Sequence, residues 1–168
     1  MSDKRSGIEK LTNPEALLQG YWQSVVHQYR ETDYIIVDED IRDIVAKINE
    51  VSGVLVTDCC ASHPERERHN LYLAFLPTTE GFDFLADLYN HFVGQVLNEA
   101  VIGNLVSQIQ FRVRHRQVDV KFQEWGTIWS IRLPVDDQNV KDRALTCLRR
   151  AVDNAIGDLR REPVGDPS

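Results

Sequence analysis

The sequence has few cysteines, little positive charge and no long apolar run, and each shortage excludes a class of protein. Three cysteines, two of them adjacent, do not form a disulfide framework, so we expect reduced thiols. No segment approaches the roughly 18 apolar residues that cross a bilayer, and the first residues lack the apolar core of a signal peptide. We therefore expect a soluble, cytoplasmic protein with no membrane partner.

Positive charge and phosphate-binding loops are also scarce. The formal net charge of −7 argues against generic nucleic-acid binding, which relies on an excess of lysine and arginine, although a local basic site remains compatible with it. The chain has no glycine-rich dinucleotide loop, no Walker lysine and no serine nucleophile elbow. A Rossmann-type dinucleotide or methyl-donor site is not indicated, and the sequence leaves open whether the protein is an enzyme.

The remaining composition is that of an ordinary globular protein. Hydrophobic residues make up 42% and charged residues 27% of 168 residues, a length that fits one domain. We predict a loose N-terminal segment over residues 1–11, a single α/β domain over 12–159 and a disordered tail over 160–168.

Apolar residues at helical spacing predict four helices. We place them over residues 12–30, from Asp38 or Asp40 to Gly53, from Thr78 or Thr79 to Val96, and over 137–159. In the second helix Ile41, Ile44, Val45 and Ile48 form the buried stripe. Either aspartate is expected to cap its first turn, where a carboxylate suits the positive end of the helix dipole.

Short apolar or alternating segments predict the strands. We place them over residues 34–37, 54–59, 71–76, 109–114, 118–123 and 129–133, with a polar loop over 62–70. The last three alternate apolar and polar residues, which is typical of an antiparallel sheet with one buried and one wet face. The order of elements predicts a two-layer α/β sandwich, in which helices pack on one face of a mixed or antiparallel sheet.

The loop that follows the strand at 54–59 carries the candidate reactive residues. Reactive side chains are often presented at strand ends, and a thiolate becomes a nucleophile or metal ligand when nearby cations lower its pKa. We predict Cys60, His63 and Asp58 as catalytic residues and His69 as a ligand-binding residue. The alternative is a small buried thiol beside a solvated loop.

Only one of the two adjacent cysteines should face the core, because neighbouring residues of a strand point to opposite sides. Counting along a regular strand places Asp58 and Cys60 on the side of Val54, and Cys59 on the side of Leu55. The pattern leaves open which side is buried.

A metal site is the third interpretation of this loop. Cys60, His63 and His69 have a C-x2-H-x5-H spacing, and zinc favours such ligands at short spacing. The candidates for a fourth ligand are Cys59, Asp58 and His91. Because the set is incomplete and the chain is long enough to fold without metal, we assign no metal residue and expect less than one zinc ion per chain.

Arginines at alternate positions form a second candidate site. Arg112, Arg114 and Arg116 project from one side of a predicted strand, and Lys121 and Arg132 extend this set on neighbouring strands. Guanidinium groups pair bidentately with phosphate and carboxylate oxygens. We predict Arg112 and Arg114 as ligand-binding residues, the alternative being an exposed face that charge keeps soluble.

Residues 37–76 resemble one known family. The helix VDEDIRDIVAKIN, the apolar strand and the motif Thr57-Asp58-Cys59-Cys60-Ala61-Ser62-His63 are similar to the TYW3-like (wybutosine-synthesising) family, whose motif reads T-[TS]-S-C-[SA]-G-R. Cys60 matches the family cysteine, whereas Ser62 replaces its glycine and His63 its arginine. The resemblance implies an α/β fold and tRNA modification with S-adenosylmethionine as methyl donor. Serine at this position is expected to remove a backbone conformation that glycine takes easily.

These observations lead to two functional hypotheses. In the first, a small intracellular protein binds a nucleotide or an RNA element in a pocket at the 58–69 loop. In the second, the chain is a non-catalytic adaptor or inhibitor, such as a bacterial or phage accessory protein, whose acidity guides it to a basic protein partner. The sequence does not determine the oligomeric state.

Overall fold

The structure, a computed structural model, describes residues 37–66, 68–77, 81–119 and 124–161. Within these ranges the helices are α1 (Arg42–Asn49), α2 (Gly81–Asn98) and α3 (Gln138–Leu159), and the strands are β1 (Val54–His63), β2 (Arg68–Pro77), β3 (Gln110–Asp119) and β4 (Glu124–Pro134). Short 3-10 helices cover Glu39–Ile41, Pro64–Arg66 and Gly103–Gln108. The predicted helix over 12–30, residues 34–36 of the first predicted strand, the N-terminal segment and residues 162–168 of the tail lie outside the described residues.

The four strands form one antiparallel sheet in the order β1-β2-β4-β3. Strands β2 and β3 both run antiparallel to β4, which lies between them, so they are parallel to each other. A parallel pair needs a crossover, and α2 with the following 3-10 helix supplies it. The antiparallel arrangement predicted from the alternating residues is confirmed.

The helices pack on one side of this sheet, as predicted. The buried core joins Leu71, Leu73 and Phe75 of β2 to apolar side chains of α1, α2 and α3. Tyr89 of α2 stacks on Phe111 of β3, with ring centroids 4.9 Å apart. The stripe predicted for the second helix is buried, and its members are Ile41 of the short 3-10 helix and Ile44, Val45 and Ile48 of α1. Among the described helices, none is long and apolar enough to cross a membrane.

The predicted caps of the second helix are wrong, and Thr78 and Thr79, the predicted caps of the third, lie outside the described residues. Asp137 caps α3, since its Oδ1 accepts a hydrogen bond from the backbone N–H of Val140 at 2.9 Å. Neither the 3-10 helix at Glu39–Ile41 nor α1 has a side-chain cap. Asp40 instead pairs with the buried ammonium of Lys141 at 2.6 Å, and the carboxylate of Asp38 turns toward β1. Both carboxylates therefore pair with groups that are distant in sequence, Lys141 and Ala61, instead of accepting hydrogen bonds from the first N–H groups of the helix.

Two predicted connections are shorter than the sequence indicated. The polar loop over 62–70 is shorter than predicted, because the pairing of β1 with β2 continues to His63 and Arg68. The predicted break between 114 and 118 does not exist, since β3 stays paired with β4 to Asp119. Polar residues in both stretches made them resemble loops in the sequence.

Gly53, predicted to end the second helix, lies in the turn that leads into β1 and has a φ of 79°, whereas α1 itself ends at Asn49 with Glu50 as its C-cap. The start of α2 lies directly against this turn, because a Cβ atom on Gly81 would be 2.1 Å from the carbonyl oxygen of Gly53. The two glycines therefore allow α2 to approach the beginning of β1.

Candidate functional site

A β-bulge in β1 changes the alternation on which the sequence prediction relied. Val56 lies opposite Phe75, but Asp58 lies opposite Ala74, so Thr57 is an extra residue on β1. Such a bulge sets two residues of one strand against one residue of the other and shifts every later side chain by one position relative to a regular strand.

The bulge decides which cysteine faces which side of the sheet. Residues that lie opposite each other on antiparallel strands point to the same side. Cys59 lies opposite Leu73 and packs against the core, whereas Cys60 lies opposite Tyr72 on the side away from the helices. The sequence prediction placed Cys60 on the side of Val54, and this is wrong because the extra residue inverts the alternation.

Ser62 interrupts the regular strand a second time. Its φ of 70° lies in the left-handed region, and its buried hydroxyl donates a hydrogen bond to the carbonyl oxygen of Val135 at 3.2 Å. The expectation that serine removes the glycine-like conformation is therefore wrong. In a regular strand Cys60 and His63 would point to opposite sides, and the left-handed residue between them lets their side chains converge.

Asp38 completes this arrangement from the segment before α1. Its Oδ2 accepts a hydrogen bond from the backbone N–H of Ala61 at 2.9 Å and lies 2.9 Å from His63 Nε2. The Cys60 thiol also bonds to this carboxylate. Metal-binding atoms of Asp38, Cys60 and His63 all lie within 4.8 Å of one another. We call these three residues the thiol cluster.

The thiol cluster is partly shielded from solvent. Cys60 is 7% exposed, and the side chains of His63 and Asp38 are 17% and 27% exposed. Burial is the largest single influence on Asp38 and raises its pKa. The hydrogen bonds from Ala61, His63 and Cys60 together outweigh it, so the pKa of Asp38 is lowered. The carboxylate is therefore ionised at neutral pH.

The other cysteine of the pair is chemically quiet. Burial, followed by the negative charges of Asp38 and Asp58, raises the pKa of Cys59 to about 12. Cys59 therefore stays a neutral thiol at physiological pH, and a thiol is a poor nucleophile. Its contribution is packing against the core.

Asp58, predicted as a catalytic residue, is hydrogen-bonded to a tyrosine. Its Oδ2 accepts a hydrogen bond from the Tyr72 hydroxyl at 3.1 Å. Burial and the charge of Asp58 raise the pKa of Tyr72 to about 12, so the phenol remains a donor. Asp58 shares a side of the sheet with Cys60, as predicted, but the thiol cluster does not include it.

The predicted histidines separate into different places. His63 belongs to the thiol cluster, and Glu65 Oε1 lies 3.4 Å from its Nδ1. His69 has an exposed side chain, does not belong to the thiol cluster, and uses its carbonyl oxygen to accept from the N–H of Val135 at 2.8 Å. His91 pairs with Asp158 at 2.6 Å, between α2 and α3.

Arg112 and Arg114 lie on the same side of the sheet as Cys60 but on the opposite outer strand. Successive cross-strand partners connect Asp58 to Ala74, Ser130 and Arg112. Three strand spacings separate β1 from β3, which is roughly 14 Å. The structure therefore brings the predicted residues onto one surface without bringing them into contact.

Arg132 of β4 fills the space between these strands. It lies opposite Tyr72, and its guanidinium carbon is 4.9 Å from the centre of the Tyr72 ring. Its Nε is buried and has no hydrogen-bond partner among the residues that the structure describes. We call this surface the arginine face. It comprises Asp58, Cys60, Tyr72, Arg112, Arg114 and Arg132. The side chain of Arg116 and the whole of Lys121 lie outside the part of the chain that the structure describes.

Sequence reasoning missed Asp38, Tyr72 and Arg132 as central residues. Arg132 was noted as an extension of the arginine set, and its alternation in the strand was a usable signal. Asp38 carried no such signal, because a carboxylate before a helix predicts a cap.

No protein-family model, curated protein or solved structure matches this chain. The resemblance of residues 37–76 to the wybutosine-synthesising family stays a prediction, as does the use of S-adenosylmethionine.

Proposed function

We propose that the protein binds a phosphate-bearing ligand, a nucleotide or an RNA element, on the arginine face. The observation that supports this is the buried Nε–H of Arg132, which has no acceptor among the described residues. A buried donor left unpaired costs about 1–3 kcal/mol, so native proteins seldom retain one without a reason. An anionic oxygen of a ligand would satisfy it.

Neighbouring guanidinium groups enlarge the positive surface around Arg132. Gln110 lies opposite Arg132, and Arg112 and Arg114 follow at alternate positions along β3. Alternate residues of a strand repeat at roughly 7 Å, so one extended anionic backbone can contact several of them. Arg112 is half-buried and Arg114 is exposed, which leaves both accessible. In a chain of net charge −7, this local positive charge favours one site for anions.

Tyr72 and Arg132 offer a surface on which a base can stack. Arginine planes and aromatic rings both stack on nucleobases, and each such base contributes about 1–3 kcal/mol. The hydrogen bond from the Tyr72 hydroxyl to Asp58 fixes the ring, which lowers the entropy lost on binding.

The test measures the binding of a fluorescent single-stranded RNA to the full chain by fluorescence anisotropy at two salt concentrations. Arg132→Gln and Arg112→Gln should each weaken binding at least about tenfold and reduce the salt dependence by about one charge. Arg150→Gln, an exposed position of α3, removes the same charge and should leave binding unchanged. Competition with a mononucleotide separates a nucleotide site from an RNA site. Equal losses in all three variants, or no binding at low salt, would contradict the proposal.

An apolar patch on the helix side of the sheet supports the alternative, an adaptor that binds another protein. Phe82 and Val113 are 41% and 50% exposed, and both adjoin Trp129. Exposed apolar residues beside an outer strand are typical of protein contacts. A stoichiometric protein partner from lysate that is lost with Val113→Glu, and kept with Arg132→Gln and Cys60→Ala, would favour this function.

A further inference from the structure

The thiol cluster combines three different metal-binding side chains at one point. We propose that Asp38, Cys60 and His63 bind one zinc ion, independently of any ligand on the arginine face. This revises the expectation of less than one zinc ion per chain. The sequence placed His69 in the ligand set, whereas Asp38 takes that place.

The distances within the thiol cluster suit a small tetrahedral ion. Zinc bonds of about 2.0–2.3 Å place neighbouring ligand atoms about 3.3–3.7 Å apart. In the structure these atoms lie within 4.8 Å, with 2.9 Å between Asp38 Oδ2 and His63 Nε2. Shifts of about 1 Å or less convert the hydrogen-bonded cluster into a metal site, which side-chain rotation provides.

The donor atoms select the type of metal. Thiolate and imidazole favour zinc and related transition metals, whereas magnesium and calcium prefer oxygen ligands. Three protein ligands leave one tetrahedral position for water or for a ligand atom.

The surroundings hold the ligands as known metal sites do. Metal-bound histidines usually direct their second nitrogen to a carboxylate, and Glu65 lies 3.4 Å from His63 Nδ1, which leaves Nε2 for the metal. The N–H of Ala61 orients the Asp38 carboxylate at 2.9 Å. Ser62 is buried and bonded to Val135, so the backbone between Cys60 and His63 is fixed.

Binding would exchange protons for metal. The Cys60 thiol loses its proton to solvent as sulfur coordinates the ion, and the His63 ring coordinates in its neutral form. Proton release should therefore accompany zinc binding and can be measured with a pH indicator in weak buffer. Since Asp38 precedes α1 and Cys60 belongs to β1, the ion would also link these two segments and raise the thermal midpoint.

The experiment uses the full chain, stripped with a chelator, titrated with zinc and then with cobalt(II). We expect one ion per chain with a Kd below about 1 μM, and a sulfur-to-cobalt charge-transfer band with tetrahedral d–d absorption. Cys60→Ser, His63→Gln and Asp38→Asn should each raise the Kd at least about 100-fold. Asp38→Asn retains an oxygen acceptor for Ala61, so it tests the metal without removing that hydrogen bond.

Cys59→Ser is the matched control, because Cys59 adjoins Cys60 but faces the core. It should keep the zinc affinity and the charge-transfer band. Circular dichroism of each stripped variant establishes that it is folded. If the folded wild-type chain binds no zinc at 10 μM, or if Cys59→Ser abolishes the cobalt band while Cys60→Ser retains it, the proposal is overturned. Neither result bears on RNA binding by the arginine variants.

Discussion

Replacing Asp38 with alanine should destabilise the metal-free protein by about 2–3 kcal/mol. The carboxylate accepts hydrogen bonds from the Ala61 N–H and from His63, both at 2.9 Å. Bonds to a charged acceptor contribute about 1.5–3 kcal/mol each, and leaving a shielded N–H unpaired costs about 1–3 kcal/mol. We expect less than the sum of these contributions, because the bond energy and the cost of the unpaired N–H overlap and because the Asp38 side chain is 27% exposed, so that water replaces some of the loss.

The effect should depend on pH, and its direction follows from the lowered pKa of Asp38. Its folded pKa lies below the ordinary value of 3.8, so the folded state binds fewer protons than the unfolded state at acidic pH. The stabilisation is then fully present above about pH 5 and is lost as the pH falls through the folded pKa. The stability difference between wild type and Asp38→Asn should therefore shrink as the pH falls from about 6 to about 3.

Urea unfolding followed by tryptophan fluorescence measures both effects, in the presence of a chelator and at constant ionic strength. Asp136→Asn, at an exposed position, is the control for loss of one carboxylate and should change the unfolding free energy by less than about 0.5 kcal/mol. A loss below about 0.5 kcal/mol for Asp38→Ala, or a difference between wild type and Asp38→Asn that does not change with pH, would refute the reasoning.

Three further predictions concern packing and charge. Gly81→Ala should lower the free energy of unfolding by about 3 kcal/mol or more, because its Cβ would lie 2.1 Å from a backbone carbonyl oxygen. Gly94→Ala, in the same helix, meets nothing within 4 Å and should stabilise the protein by about 0.5–1 kcal/mol. Thermal melts measure both effects, and equal effects would contradict this. The pKa of Cys59 is raised to about 12, so iodoacetamide at pH 8 should alkylate Cys59 at least about 1,000-fold more slowly in the native chain than in the urea-unfolded chain. Peptide mass spectrometry measures both rates, and comparable rates would disprove the prediction. Asp40→Ala should lower the free energy of unfolding in urea by about 1–3 kcal/mol, because it leaves the ammonium of Lys141, which is 5% exposed, without its carboxylate. Adding Lys141→Met should recover part of that loss. A double variant no more stable than Asp40→Ala would argue against a stabilising ion pair.

The fold was predictable where one local pattern determined the structure. The stripe from Ile41 to Ile48 and the alternation from Ile109 to Arg114 required only a count along the chain. Such periodicities survive folding because a single side of each element is buried. The strand ends were less predictable, because the register of the partner strand determines where pairing stops.

For the candidate site, the residues could be predicted from the sequence but their orientations could not. Cys60 and His63 were found from residue type and their position at a strand end. The convergence of their side chains depends on the left-handed Ser62, which is hydrogen-bonded to Val135, and the side of the sheet that Cys60 faces depends on the bulge at Thr57. Such irregularities belong to the tertiary structure and leave no periodic trace in the sequence.

The role of Asp38 could not be predicted from neighbouring residues. Its partner Ala61 is 23 positions away, and the local pattern favours a helix cap. A long-range donor outcompetes the helix only once β1 lies beside the segment, which a single sequence does not reveal.

The bulge at Thr57 has a consequence for how this strand tolerates changes in length. Because Thr57 is the additional residue of this bulge, deleting it would regularise β1 while leaving Asp58, Cys59 and Cys60 on their present sides. In an alignment of related chains, a one-residue gap therefore belongs at position 57, where it preserves the orientation of every side chain in the thiol cluster.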